Sequence, residues 1–252
     1  MSLRKAAGCL LLAAVLFTVF PALGESSATD VLEGSLPILV NKEYPVGDTF
    51  QPADLVLLTE VLDSSLIRVK YKKTQAVRRA AEALETMLEA AKADGVTKWQ
   101  VSAAYRSIAD QQSLLNSKIN SYLKKNSGWS RSKARSAALR TVAEPGCSEH
   151  HLGLAFDVNV PGTSAFKGTK QCKWLHAHCW DYGFIVRYQK GKEAITGFSA
   201  EEWHIRYVGV EHARLMRDLD LCLEEYLQAI AEGTVENPVT MTVEEIPLDP
   251  AA

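Results

Sequence analysis

The sequence predicts an α+β fold, an antiparallel sheet core with flanking helices. Between Thr74 and Asp94 the apolar residues Val77, Ala80, Ala81, Leu84, Met87, Leu88 and Ala91 recur at steps of three and four. That is the spacing of a helix burying one face. Around Trp99–Val101 and again over Trp203–Val208 apolar and polar residues alternate instead, the period of a half-buried strand. Helices and short strands follow one another without a regular βαβ repeat, and no internal repeat is present, which favours an antiparallel sheet over a parallel one.

The elements follow in chain order. Arg4 and Lys5, the apolar run Ala6–Phe20, Pro21 and the small residues before Glu25 have the three-part layout of a secretory signal over residues 1–24. Left uncleaved, the same stretch is nearly long enough to anchor the chain in a membrane. Either outcome places the protein outside the cytoplasm, secreted or extracytoplasmic. Residues 25–73 read as an N-terminal linker and an extended arm, with Pro37 restricting any strand there to a sheet edge. The main domain is expected over 74–232. Its first helix ends at Gly95, a C-cap residue, and a strand follows over 97–103. Ser107, three residues before Asp110, starts a helix from Ile108 to about Lys124. Ser130 caps another, read through Ala143 and stopped by Pro145-Gly146. Leu152–Val160 is extended, with Gly153 absorbing a bend. A short helix over Lys173–Tyr182, a strand over Gly183–Val186 and a strand at Trp203–Val208 come next. A helical region over Val210–Ala231 breaks near Asp218–Asp220. Residues 233–252 form an acidic, Pro-containing tail.

The 252 residues are 47% hydrophobic and 23% charged, enough for a real core and ordinary for a globular protein. A net charge of −2 lacks the basic excess of a nucleic-acid binder. Outside the cytoplasm, Cys147, Cys172, Cys179 and Cys222 form an even set, so at least one disulfide is expected among them, with Cys172 or Cys179 as the partner that would fix the loop after Cys147.

Chemistry concentrates in Ser148-Glu149-His150-His151-Leu152-Gly153-Leu154-Ala155-Phe156-Asp157 and in Glu201-Glu202-Trp203-His204. A catalytic zinc needs three protein ligands from His, Asp or Glu, with the fourth position open to water. It also needs a carboxylate that is not a ligand, to accept the water's proton. His150, Asp157 and His204 meet the first need, and Glu201 or Glu202 the second.

The complete pattern, Ser-x-His-x-x-Gly-x-Ala-x-Asp followed some 45 residues later by Glu-x-Trp-His, resembles the VanY-type D-alanyl-D-alanine carboxypeptidases, zinc D,D-peptidases that trim cell-wall stem peptides. The likeness extends upstream to Tyr105-Arg106-Ser107 and downstream through Gly183-Phe184-Ile185-Val186-Arg187-Tyr188 and Arg206-Tyr207-Val208-Gly209, covering residues from about 37 to 230. It implies a zinc D,D-peptidase-like fold and Zn2+ held by His150, Asp157 and His204. Glu201, three residues before the ligand His, is implied as the catalytic base. Arg106 would grip the substrate's terminal carboxylate or polarise the scissile carbonyl, and Ser148 and Gln111 would add hydrogen bonds to the peptide. The partner implied is a peptidoglycan stem peptide ending in D-Ala, processed by a monomer. An L,D-carboxypeptidase, a D,D-dipeptidase and a non-catalytic wall-binding module are the alternatives.

The remaining singular residues carry plainer expectations. His151 is a bystander, and His176 and His178, about 200° apart on a helix, have structural or surface roles. His212 and the pair Glu224-Glu225 belong to solvated helix faces, and Trp203 packs in the core. Glu202 pairs with a basic neighbour such as Arg206.

Overall fold

A computed structural model describes residues 37–238 apart from Ser164. The signal-like segment, the linker up to residue 36 and the tail beyond residue 238 lie outside the described residues. After an irregular arm come β1 (Leu55–Leu57), α1 (Leu58–Val61), β2 (Ile67–Val69), β3 (Gln75–Val77) and α2 (Arg78–Ala93). β4 (Trp99–Ala103), α3 (Ile108–Lys125) and α4 (Arg131–Ala138) follow, then a 3-10 turn over Glu149–Leu152 and β5 (Ala155–Asn159). The second half holds α5 (Lys170–His178), a 3-10 turn over Cys179–Tyr182, β6 (Phe184–Tyr188), α6 (Glu193–Thr196) and β7 (Glu201–Tyr207). α7 (Val210–Asp218) and α8 (Leu223–Ala231) close the fold.

The central sheet has the order β2-β4-β5-β7-β6, and β1 pairs with β3 in a separate ribbon. Three of the four pairings in the main sheet are antiparallel, but β2 runs parallel to β4. Two expectations are corrected here. The sheet is mixed, and residues 55–73, assigned from sequence to linker and arm, carry β1, α1 and β2. The arm before them is irregular yet docked: Val46 N donates to the Gly146 carbonyl (2.8 Å), Arg206 Nη2 donates to that of Ile38 (3.0 Å), and Val40 and Val46 are buried.

α2 forms where the apolar spacing placed it and buries Ala80, Ala81, Leu84, Met87, Leu88 and Ala91 against the sheet. Burying each of the three large side chains stabilises the fold by roughly 1.5–3 kcal/mol. Trp99 packs between Phe166 and Trp174, and Phe156 meets Phe184 edge-on, all within one apolar cluster on the same face of the central strands, which leaves Asp157 and His204 on the opposite face. Ser107 caps α3 by accepting from Asp110 N, and Ser130 caps α4 by accepting from Lys133 N. α4 ends at Ala138, short of Ala143. The chain tightens there into an i→i+3 bond from Thr141 N to the Ala138 carbonyl (3.1 Å), and the freed Ala143 carbonyl turns toward α3 to accept from Gln111 Nε2 (2.7 Å). The C-terminal helices separate at the expected break.

No disulfide is present among the described residues: Cys147, Cys172, Cys179 and Cys222 are all free. Cys172 and Cys179 are seven residues apart along α5 and the turn that continues it, about 10 Å of helical rise, beyond disulfide reach.

Candidate functional site

The two motif segments meet because β5 lies beside β7 with Asp157 directly opposite His204. His150 arrives from the 3-10 turn before β5. Gly153, at φ +66°, reverses the chain between that turn and the strand. A Cβ there would lie 3.1 Å from both Leu55 Cδ2 and Val77 Cγ2 and 3.2 Å from Val77 N, so the position needs glycine for conformation and for space.

His150, Asp157 and His204 bring one donor atom each to within 4.8 Å of one another. His150 Nδ1 donates to the Ala104 carbonyl at 2.7 Å, which fixes the tautomer and leaves the Nε2 lone pair 3.5 Å from Asp157 Oδ1. His204 Nδ1 lies 3.1 Å from the same carboxylate oxygen. The two imidazoles stand at 87° with centroids 4.9 Å apart, and the Tyr188 ring covers His204 at 5.0 Å. Two imidazole nitrogens and a carboxylate oxygen, held around one point, suit a tetrahedral zinc with a fourth position open.

Burial, together with the nearby Arg106 guanidinium, lowers the His150 pKa to about 4, so its lone pair is free at neutral pH. Burial opposes charge on His204, but its bond to Asp157 and the Glu149 carboxylate 3.5 Å away prevail and raise it to about 9. Burial works against the Asp157 carboxylate as well, yet the two histidines hold it well below the usual range. An ion held by His150, Asp157 and His204 would have to displace the His204 proton and would meet a carboxylate already ionised.

Glu201 is buried at the start of β7. Desolvation raises its pKa to about 7, with His204 opposing and Asp157 adding to the rise. Strict alternation along β7 would put Glu202, not Glu201, on the His204 side. Alternation breaks where the β6–β7 pairing becomes irregular, between Val186↔Ile205 and Tyr188↔Glu201, and beyond that break Glu201 is buried within the electrostatic reach of His204 and Asp157. Glu202 turns away and bonds Lys167 Nζ rather than Arg206, which corrects the expected pairing. Trp203, expected in the core, is 39% exposed.

Arg106 lies across the site, its Nη2 3.9 Å from Asp157 Oδ2. It donates through Nη1 to Gln111 Oε1 at 2.8 Å. Gln111 is buried, its Oε1 accepting from Arg106 and its Nε2 donating to the Ala143 carbonyl, so it holds the Arg106 guanidinium in place. Ser148 is also buried, its hydroxyl accepting from His150 N at 3.4 Å. His151 is no bystander. Its Nε2 accepts from Gly146 N (3.1 Å) and its Nδ1 donates to the Arg106 carbonyl (2.7 Å), pinning the two loops together.

Sequence reasoning missed the support behind His204. Glu149 is fully buried. Its Oε1 accepts from Arg187 Nε (2.7 Å) and Arg206 Nη1 (2.9 Å), and its Oε2 faces His204 Nε2 at 3.5 Å. Burial alone would raise the Glu149 carboxyl, but the two arginines hold it well below its ordinary range. Arg187 continues the chain as a fork onto Glu224 of α8 (2.9 and 2.7 Å), so Glu224 is no solvated residue. Nor is Glu225, which accepts from Lys192 Nζ at 2.8 Å, nor His212, buried with Nδ1 2.7 Å from the Tyr226 hydroxyl.

Comparison with known proteins agrees with this geometry. The family model described as D-alanyl-D-alanine carboxypeptidase, VanY, matches residues 73–210. A D-alanyl-D-alanine carboxypeptidase of Enterococcus faecalis is 37% identical over 198 residues, covering 79% of this chain and 67% of its own. A variant of the VanY D,D-pentapeptidase from a VanB-type resistance cassette, solved in complex with Zn(II), superposes with a TM-score of 0.64 at 37% identity, covering 75% of this chain and 97% of the other. VanYB in complex with D-alanine-D-alanine superposes at 0.65 with 36% identity, covering 76% and 96%. From fold, motif geometry and these likenesses together, the chain belongs to the VanY family of D-alanyl-D-alanine carboxypeptidases.

Proposed function

We propose that the protein is an exported zinc D,D-carboxypeptidase that removes the terminal D-Ala from peptidoglycan stem peptides. The observation that carries this reading is the placement of Glu201, a buried carboxyl raised to about 7, beside the converging donors of His150, Asp157 and His204. The relatives' zinc and D-alanine-D-alanine complexes support it. When bound, zinc supplies a Lewis acid that acidifies water and polarises the scissile carbonyl.

The protein's own groups do the rest. Ionised Glu201 accepts the proton of the attacking water and returns it to the leaving D-Ala amine. Arg106, held on one side by Gln111, turns its remaining donors to the substrate's terminal carboxylate or to the carbonyl oxygen as it gains charge. His204 stays oriented between Asp157 and Glu149. Export rests on the layout of residues 1–24.

The test is mass spectrometry of synthetic penta- and tetrapeptide stems incubated with the purified protein and zinc. Loss of one D-Ala from the pentapeptide is expected. Release of the D-Ala-D-Ala dipeptide would show a D,D-dipeptidase, and cleavage of the tetrapeptide alone an L,D-carboxypeptidase. Intact peptides throughout would leave only the wall-binding alternative.

A further inference from the structure

A second set of metal donors lies on the other side of β7. Cys172 and His176 stand one turn apart on α5 and so share a face, and Glu202 of β7 meets them. Cys172 Sγ, His176 Nε2 and Glu202 Oε2 are mutually 3.8 Å apart on all three sides. A point equidistant from such a triangle lies about 2.2 Å from each atom, which is the bond length zinc makes to thiolate, imidazole and carboxylate.

We propose that Cys172, His176 and Glu202 form a second metal site, selective for zinc and other borderline-soft divalent ions. One thiolate, one imidazole and one carboxylate are the ligand types that such ions prefer over magnesium or calcium. The surroundings suit the role. Lys167 Nζ occupies Glu202 Oε1 and leaves Oε2 facing the other two donors. Cys172 is buried, whereas the His176 and Glu202 side chains are partly exposed, so an ion and a fourth, water ligand can enter from that rim. Before loading, His176 Nε2 lies 3.1 Å from the Glu202 carbonyl. Loading moves any proton on Nε2 to Nδ1 and releases the Cys172 thiol proton to solvent. The bound ion then ties α5 to the start of β7, one residue from Glu201.

Cobalt(II) distinguishes this site from the catalytic one, because a thiolate ligand gives a near-ultraviolet charge-transfer band and the set His150, Asp157 and His204 contains no sulfur. Reduced full-length protein titrated with cobalt(II) should develop that band and lose it when zinc is added. Cys172→Ser should abolish it, Glu202→Gln should weaken cobalt binding at this site at least tenfold, and His204→Ala should leave the band in place. Absence of the band in the parent protein, or its survival in Cys172→Ser, would overturn the proposal. The band reads sulfur ligation alone, so its outcome is independent of whether the protein cleaves D-Ala-terminated peptides.

Discussion

His204 is held between two carboxylates: its Nδ1 lies 3.1 Å from Asp157 Oδ1 on the neighbouring strand, and its Nε2 lies 3.5 Å from Glu149 Oε2 behind it. An imidazole fixed this way cannot swing out of the site, and its proton is held until a metal replaces it.

His204→Ala should therefore remove both activity and zinc at the catalytic centre, because His150 and Asp157 alone are too few donors. In the parent protein, zinc affinity should rise with pH toward about 9, where His204 gives up its proton. Competition with a chromophoric chelator across pH measures both effects. A His204→Ala protein that holds catalytic zinc as tightly as the parent would contradict the assignment.

Arg106→Ala should cost about 2–5 kcal/mol in kcat/KM, the range for losing one partner of a desolvated charge contact. Gln111→Ala should give a smaller loss, by loosening the guanidinium it holds. If Arg106 grips the terminal carboxylate, a peptide ending in a carboxamide should be poor for the parent and no worse for Arg106→Ala. Equal kcat/KM for acid and amide in the parent would assign Arg106 to the carbonyl instead.

Arg187→Ala should lower stability by about 3–5 kcal/mol, since it strips one cation from fully buried Glu149 and the fork from Glu224. Urea denaturation of the metal-free protein reads this directly. A loss within about 0.5 kcal/mol, ordinary for a surface substitution, would mean that the Glu149–Arg187–Glu224 chain is not structural.

The pH profile follows from Glu201. Its pKa of about 7 without metal sits above the ordinary carboxyl value because of burial, and only the ionised form accepts a proton. A bound dication favours ionisation and pulls the value down. So kcat/KM should rise with pH and level off at or below about 7. A rate that begins to rise only above 7 would point to a different base.

Much of this arrangement was legible in the sequence. Ser107-x-x-Asp110 marked the start of α3, apolar spacing marked α2, and the break at Asp218–Asp220 separated α7 from α8. The motif residues His150, Asp157, His204 and Glu201 do come together. β2 was not legible, because Ile67-Arg68-Val69 is too short to show a period and its partner Trp99–Val101 lies some thirty residues on. Glu149 stood in plain view between Ser148 and His150, but its partners come from β6, β7 and, through Arg187, α8, and only the fold joins them. The orientation of Glu201 depends on a pairing irregularity between β6 and β7 that no period-two pattern contains.

The central claim is that Glu201 is the base and not a ligand, and one paired measurement on Glu201→Gln tests it: zinc content together with kcat on a D-Ala-terminated pentapeptide. Zinc should remain at the parent level while kcat falls by about 10²–10⁴-fold, the usual cost of a missing general base, and Glu202→Gln should keep most of its turnover. Loss of catalytic zinc from Glu201→Gln, or turnover close to that of the parent, would contradict the account.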